Sequence, residues 1–177
     1  MSYKLYSLNI CVCLIFIILI YNEGLAMKEY NRISYDNISN KEILIGETTL
    51  EAFSKAPFKE WFDLEYNYYN PNKELIIQLK GKIGLLRILI FLGTWCPDSR
   101  IDVPRFIKIL DQIDFNKNNL KIIAVDRQKN DPNDSSKIYN IEYVPTFIFL
   151  KENIEIGRII ESPKNSLEAD MLEILSK

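Results

Sequence analysis

Arg87 is followed by Ile88, Leu89, Ile90, Phe91 and Leu92, and Gly93 closes the run. No polar side chain interrupts it. A strand with one wet face alternates apolar and polar residues; this one does not. It reads as a strand buried on both faces, which demands layers above and below the sheet, as in α/β folds. Thr94, Trp95 and Cys96 come next, and from Pro97 the period changes. Val103, Phe106, Ile107, Leu110 and Ile113 fall at i, i+3, i+4, i+7 and i+10, one face of a helix. Pro97 suits a first helical turn, where its missing N–H costs nothing. Cys96 therefore sits between a buried strand and a helix N-terminus.

That junction favours a charged sulfur. Free N–H groups and the positive end of the helix stabilise an anion there, and a thiolate is the better nucleophile. Asp98 opposes this by like charge, and Arg100, one turn on, supports it. A single cysteine is more often an inert small core residue. The strand-to-helix position beside Trp95 and Pro97 argues for a reactive one.

The rest of the composition narrows the chemistry. The 177 residues are 47% apolar and 26% charged, enough for one globular domain with an ordinary core. The net charge of −2 gives no electrostatic case for nucleic acid or an anionic membrane. There is no histidine, so Ser-His and Cys-His catalysis and histidine metal sites are excluded. Asp131, Asn133, Ser135 and Glu142 have calcium-loop spacings, but Ser136 stands where the loop needs glycine and Pro132 intrudes. That stretch reads as a polar loop.

Residues 1–26 read as an export signal. Lys4 precedes an apolar run from Leu8 to Tyr21, too short to span a bilayer comfortably, and Gly24-Leu25-Ala26 offers a cleavage site after Ala26. The expected location is periplasmic or extracellular, with no membrane attachment after cleavage. The alternatives are an uncleaved anchor or a true start at Met27. Cleavage removes Cys11 and Cys13 and leaves Cys96 alone. A lone thiol in an exported chain is reactive or intermolecular.

From about Ile83 to Lys177 the chain resembles the thioredoxin superfamily. The motifs are Trp95-Cys96-Pro97-Asp98-Ser99 after a buried strand, Pro104 eight residues beyond the cysteine, Val144-Pro145-Thr146 opening a later strand, and a final hairpin and helix. The closer resemblance is to exported thiol-disulfide proteins of the TlpA-like type. It implies a thioredoxin-like α/β fold, a mixed sheet flanked by helices, with an N-terminal helical extension. The expected division is signal 1–26, arm and extension 27–82, and thioredoxin-like domain 83–177. The resemblance also implies a cis Pro145, with Trp95, Pro97, Val144, Pro145 and Thr146 binding substrate beside catalytic Cys96 and Ser99. Two positions depart from the family. Ser99 stands where a second cysteine is usual, and Ile90 where many members carry a buried aspartate.

The implied function is monothiol thiol-disulfide exchange. Cys96 thiolate attacks a substrate disulfide and forms a mixed disulfide, Ser99 can donate a hydrogen bond to the sulfur, and an external thiol, a reductase or a substrate thiol resolves it; the expected partners are disulfide- or thiol-containing proteins and that external thiol or reductase. No cofactor is expected. The alternative is a non-redox binding module that keeps the fold and its groove. A peroxidase is disfavoured, because Thr94 lies only two residues before Cys96.

Elsewhere, residues 27–40 read as a loose polar arm and Glu42–Gly46 as a short strand. Thr48 or Thr49 caps a short helix, Pro57 starts the next, and Pro71 starts another to about Lys80. The aromatic cluster from Phe58 to Tyr69 reads as packing on the sheet. Leu120–Val125 and Thr146–Leu150 read as strands, and Asn165 or Ser166 as the cap of the last helix. Asp126 and Arg127, at a strand's C-terminal end, border the site or form a solvated loop pair.

Overall fold

The computed structural model describes residues 29–177; the expected export signal and cleavage site, with Cys11 and Cys13, fall outside the described residues. Among the described residues, six strands form one mixed sheet: β1 (Arg32–Asp36), β2 (Lys41–Thr48), β3 (Arg87–Leu92), β4 (Leu120–Ala124), β5 (Thr146–Lys151) and β6 (Ile154–Ile160). Their spatial order is β1-β2-β4-β3-β5-β6. Only β3 and β4 run parallel; the other neighbours are antiparallel. The helices are α1 (Lys59–Tyr68), α2 (Lys73–Lys82), α3 (Pro97–Gln112), α4 (Ser135–Ile138) and α5 (Leu167–Ile174). This is the expected thioredoxin-like α/β fold.

The uninterrupted apolar run of β3 is explained by two cores. Ile88, Ile90 and Leu92 join the large core on the face covered by α3, with Val103, Phe106, Ile107, Leu110 and Ile113 from that helix and its end. Leu89 and Phe91 point the other way, into a smaller core with Ile123, Val125, Ile141, Val144 and Cys96. Period-2 side-chain alternation sends one strand into both. β4 and β5 flank β3 in the sheet, which sets Ile90 opposite Ile122 on one side and Phe147 on the other.

The N-terminal region departs from the expected arm. Residues Arg32–Asp36 form an edge strand, paired with β2 as a hairpin in which Arg32 faces Ile45 and Asp36 faces Lys41. Ile33 and Tyr35 do alternate with Arg32, Ser34 and Asp36, but the run is only five residues long, both apolar side chains are exposed, and the polar, Asn-rich surroundings hide it. β2 is also longer than expected, reaching Thr48, since Gly46 to Thr48 pair with β4.

The extension packs into the same large core as the rest, through Leu44, Phe53, Phe58, Ile76 and Leu79. As expected, most of its aromatic cluster is packing: Phe53 stacks on Phe62 at 4.9 Å and Phe62 on Tyr66 at 6.2 Å. Leu64 and Tyr68 face solvent instead. α2 starts after Asn72, whose side chain accepts from the Glu74 and Leu75 N–H groups. Buried Glu168 of α5 fastens the extension, accepting from Tyr69 Oη at 2.8 Å and Asn72 N at 2.9 Å. Ser166 caps α5 by accepting from Ala169 N.

Asp102 is a costly group in this packing. It is buried on α3, and that burial pushes its carboxyl up from 3.8 to about 6, opposed by Arg105 and helped by Asp98 and Glu65. A raised folded-state pKa contributes stability that is complete below about pH 3.8 and lost as pH rises through about 6. Asp102→Asn is therefore expected to stabilise the fold at neutral pH by about 1–2 kcal/mol and to flatten the pH dependence across that window. Urea unfolding of both proteins at several pH values checks this; equal pH dependence in the two would contradict it.

Candidate functional site

Cys96 occupies the N-cap position of α3, in an extended conformation, with Pro97 in the first turn. Its N–H donates to Gly93 O at 2.8 Å and its carbonyl accepts from Arg100 N at 3.2 Å, so the tight strand-to-helix turn fixes its backbone. The side chain is 7% exposed, in the smaller core at the C-terminal edge of the sheet. The thiol donates to Val144 O at 3.2 Å. Val144 and Pro145 are joined by a cis peptide bond, as the resemblance implied. Two motifs 48 positions apart thus meet at one sulfur.

The other expected residues divide by position. Trp95 is half-buried beside Cys96; its indole Nε1 donates to Val125 O at 2.9 Å. The ring folds back over Gly93, where a Cβ would lie 2.5 Å from Trp95 Cε2, so only glycine leaves room for it. Pro97 is exposed at the helix start. Val144 is 4% exposed, and its carbonyl accepts from the Cys96 thiol. Thr146 is set behind the loop: it is buried, and its hydroxyl donates to Tyr143 O at 2.8 Å, bracing the turn that carries Pro145. Tyr143, which carries no sequence signal, is half exposed beside that turn.

Ser99 corrects one expectation. It is fully buried, and its Oγ accepts from Gly93 N at 3.2 Å. The side chain ties the helix's first turn back to the end of β3, where it was expected to donate to Cys96. Thr94 secures the same turn from its other side. Its Oγ1 accepts from Leu44 N at 3.1 Å, fixing the turn to β2.

Arg127 does border the site. Its guanidinium lies 4.9 Å over the Trp95 ring and pairs with Asp36 through Nε at 2.9 Å and Nη2 at 2.8 Å. The pairing holds the Asp36 carboxyl well below the usual carboxylate range, the Arg127 hydrogen bond contributing most. No sequence signal marks Asp36, because its short strand lies in a segment that reads as a loose arm. Asp131 braces the following loop, accepting from Asn133 N at 3.1 Å and Ser136 N at 2.8 Å.

Comparison with known proteins agrees with this geometry. A family model described as Thioredoxin matches residues 58–172. A TPR repeat-containing thioredoxin of Arabidopsis thaliana is 32% identical over 87 residues, 49% of this chain and 21% of that protein. Thioredoxin H9 of the same plant is 28% identical over 92 residues, 52% of this chain and 61% of the relative. The chain thus spans less than two thirds of either relative's length. In fold it is similar to a Pseudomonas aeruginosa protein of unknown function, with a TM-score of 0.53 at 18% identity over 75% of this chain and 91% of that one. The family match takes in α1 through most of α5, with the Cys96 turn and the cis-proline loop inside it, and the chain belongs to the thioredoxin family.

Proposed function

We propose that this chain is a thiol-disulfide oxidoreductase or isomerase of monothiol type, acting through Cys96, of the exported TlpA-like kind. The supporting observation is the hydrogen bond from Cys96 Sγ to Val144 O beside cis Pro145. It sets the nucleophile against the segment whose backbone an extended substrate would meet.

The exchange runs in two displacements. The Cys96 thiolate attacks one sulfur of a substrate disulfide; a Cys96–substrate S–S bond forms, the substrate S–S bond breaks, and the departing sulfur leaves with the electron pair as thiolate and takes a proton from water. With Cys96 in the mixed disulfide, no S–H remains for Val144 O, and that carbonyl becomes free for a substrate N–H. A second thiol, on the substrate or external, then attacks the mixed disulfide and expels Cys96 thiolate. Ser99 cannot do this, since a hydroxyl forms no disulfide. Partners of this chemistry are disulfide-containing proteins and a small thiol or reductase.

Glutathione-supported exchange on a scrambled protein disulfide tests the proposal. Measurable exchange is expected in the unaltered protein, loss of it in Cys96→Ala, and negligible insulin reduction with thioredoxin reductase. Robust exchange in Cys96→Ala sinks the assignment. Binding of substrate without exchange in the unaltered protein leaves the non-redox binding module.

A further inference from the structure

In the sequence Arg100 is the cation nearest Cys96, and the fold turns it elsewhere. Arg100 Nε donates to Thr94 O at 2.7 Å, and its guanidinium lies 5.9 Å over the Trp61 ring, toward a groove of about 550 Å³ that it lines with Phe58, Trp61 and Leu64. The loop after β4 supplies a different cation. Arg127 is stacked on Trp95, the residue next to Cys96, while Trp95 is itself pinned by its bond to Val125 O. Asp36 grips the guanidinium through Nε and Nη2. The turn after β1 fixes Asp36 in turn, through Ser39 Oγ at 2.5 Å and Ser39 N at 3.2 Å.

We propose that Arg127 is the positioning cation of the Cys96 site: its charge holds the sulfur as thiolate, and the β1–β2 hairpin, through Asp36, holds Arg127 in place. The inference rests on Cys96 being the nucleophile. The need for such a cation is physical. The neutral thiol donates to Val144 O; once its proton leaves, the sulfur faces that oxygen, which repels it. Asp98, in the first turn of α3, adds a second repulsion. The helix end opposes them with only about half a charge. Arg127 supplies a whole one at a fixed place, and Asp36 offsets part of it, so the effect is moderate. Asp126 and Lys129 lie on the same loop, with Lys129 Nζ 5.9 Å over Trp95, Glu142 stands three residues before Pro145 in the chain, and Arg158 on β6 donates to Tyr139 O beside the smaller core.

The test is alkylation of the full chain with neutral iodoacetamide, followed by mass spectrometry of the Cys96 peptide, which separates it from Cys11 and Cys13. Arg127→Ala is expected to slow Cys96 alkylation about tenfold near pH 7, and to leave it unchanged near pH 9.5, where a thiol ionises unaided. Arg127→Lys should recover the rate to within about threefold, and Arg100→Ala should stay within about twofold. The proposal is overturned by an unchanged rate in Arg127→Ala at neutral pH, by equal slowing at both pH values, or by slowing of the same size in Arg100→Ala. Alkylation needs no substrate disulfide. Loss of exchange activity with the Arg127 effect intact would refute the proposed function alone, and the reverse result would refute Arg127 alone.

Discussion

Ser99→Cys is expected to form an intrachain disulfide with Cys96 and to gain insulin reduction with dithiothreitol, well above the level of the unaltered protein. Positions 96 and 99 flank one turn at the start of α3. Side chains three apart on a helix have Cβ atoms about 5–6 Å apart, so closure needs a small adjustment of the first turn. Dithiothreitol then reduces the pair, and the dithiol reduces insulin: Cys96 takes the mixed disulfide and the introduced thiol displaces the product. The cost is local. Ser99 Oγ accepts from Gly93 N at 3.2 Å, and sulfur accepts poorly, so about 1 kcal/mol of stability is lost. Turnover should stay slow, because Ile90 is fully buried where a carboxylate would take the second thiol's proton. Mass spectrometry after oxidation checks closure by the loss of two hydrogens, and insulin turbidity checks activity. Failure to close under an oxidant would show that the two positions are not poised on one turn, and the site assignment would fall.

Phe106→Ala is expected to destabilise the fold by about 3–5 kcal/mol, a large part of the stability of an ordinary domain. Phe106 is fully buried on the face of α3 that meets the sheet. Its ring stacks on Phe147 of β5 at 4.3 Å and meets Phe149 edge-on at 6.1 Å. Truncation removes apolar area and leaves a cavity between a helix and a strand that pairs with β3, so neither wall can collapse freely. Leu64→Ala, at a position 65% exposed, is the control and should shift stability by less than about 0.5 kcal/mol. Urea unfolding measures both. A loss below about 1 kcal/mol in Phe106→Ala would mean that this ring pair does not organise the core.

Much of the central fold is legible in the sequence. The apolar run of β3 and the 3.6-period of α3 are strong signals, because one strand buried on both faces and one helix with a single apolar face leave few alternatives. The cysteine at the junction follows from the local pattern, and its meeting with Val144-Pro145 is what the family resemblance implies. The loop roles do not. Nothing in the letters distinguishes a Thr146 that lines a groove from one whose hydroxyl braces Tyr143 O. Nor does the sequence show that Ser99 Oγ accepts from Gly93 N.

The division has a physical origin. Sequence alone determined what rests on local period and chain order: the buried strand, the helix with Pro97 in its first turn, the thiol at their junction and the absence of histidine chemistry. These depend on neighbours a few residues away, and hydrophobic periodicity records them. Only the tertiary structure decided which charges the thiol meets. Arg100, four residues from Cys96, is drawn to Thr94 O and Trp61, while Arg127 is brought to Trp95 by the parallel pairing of β3 with β4. Asp36 reaches Arg127 across 91 positions, from an exposed five-residue edge strand too short to stand out by its period. Electrostatic partners are set by distance in space, and polar surface residues leave no pattern along the chain that encodes it.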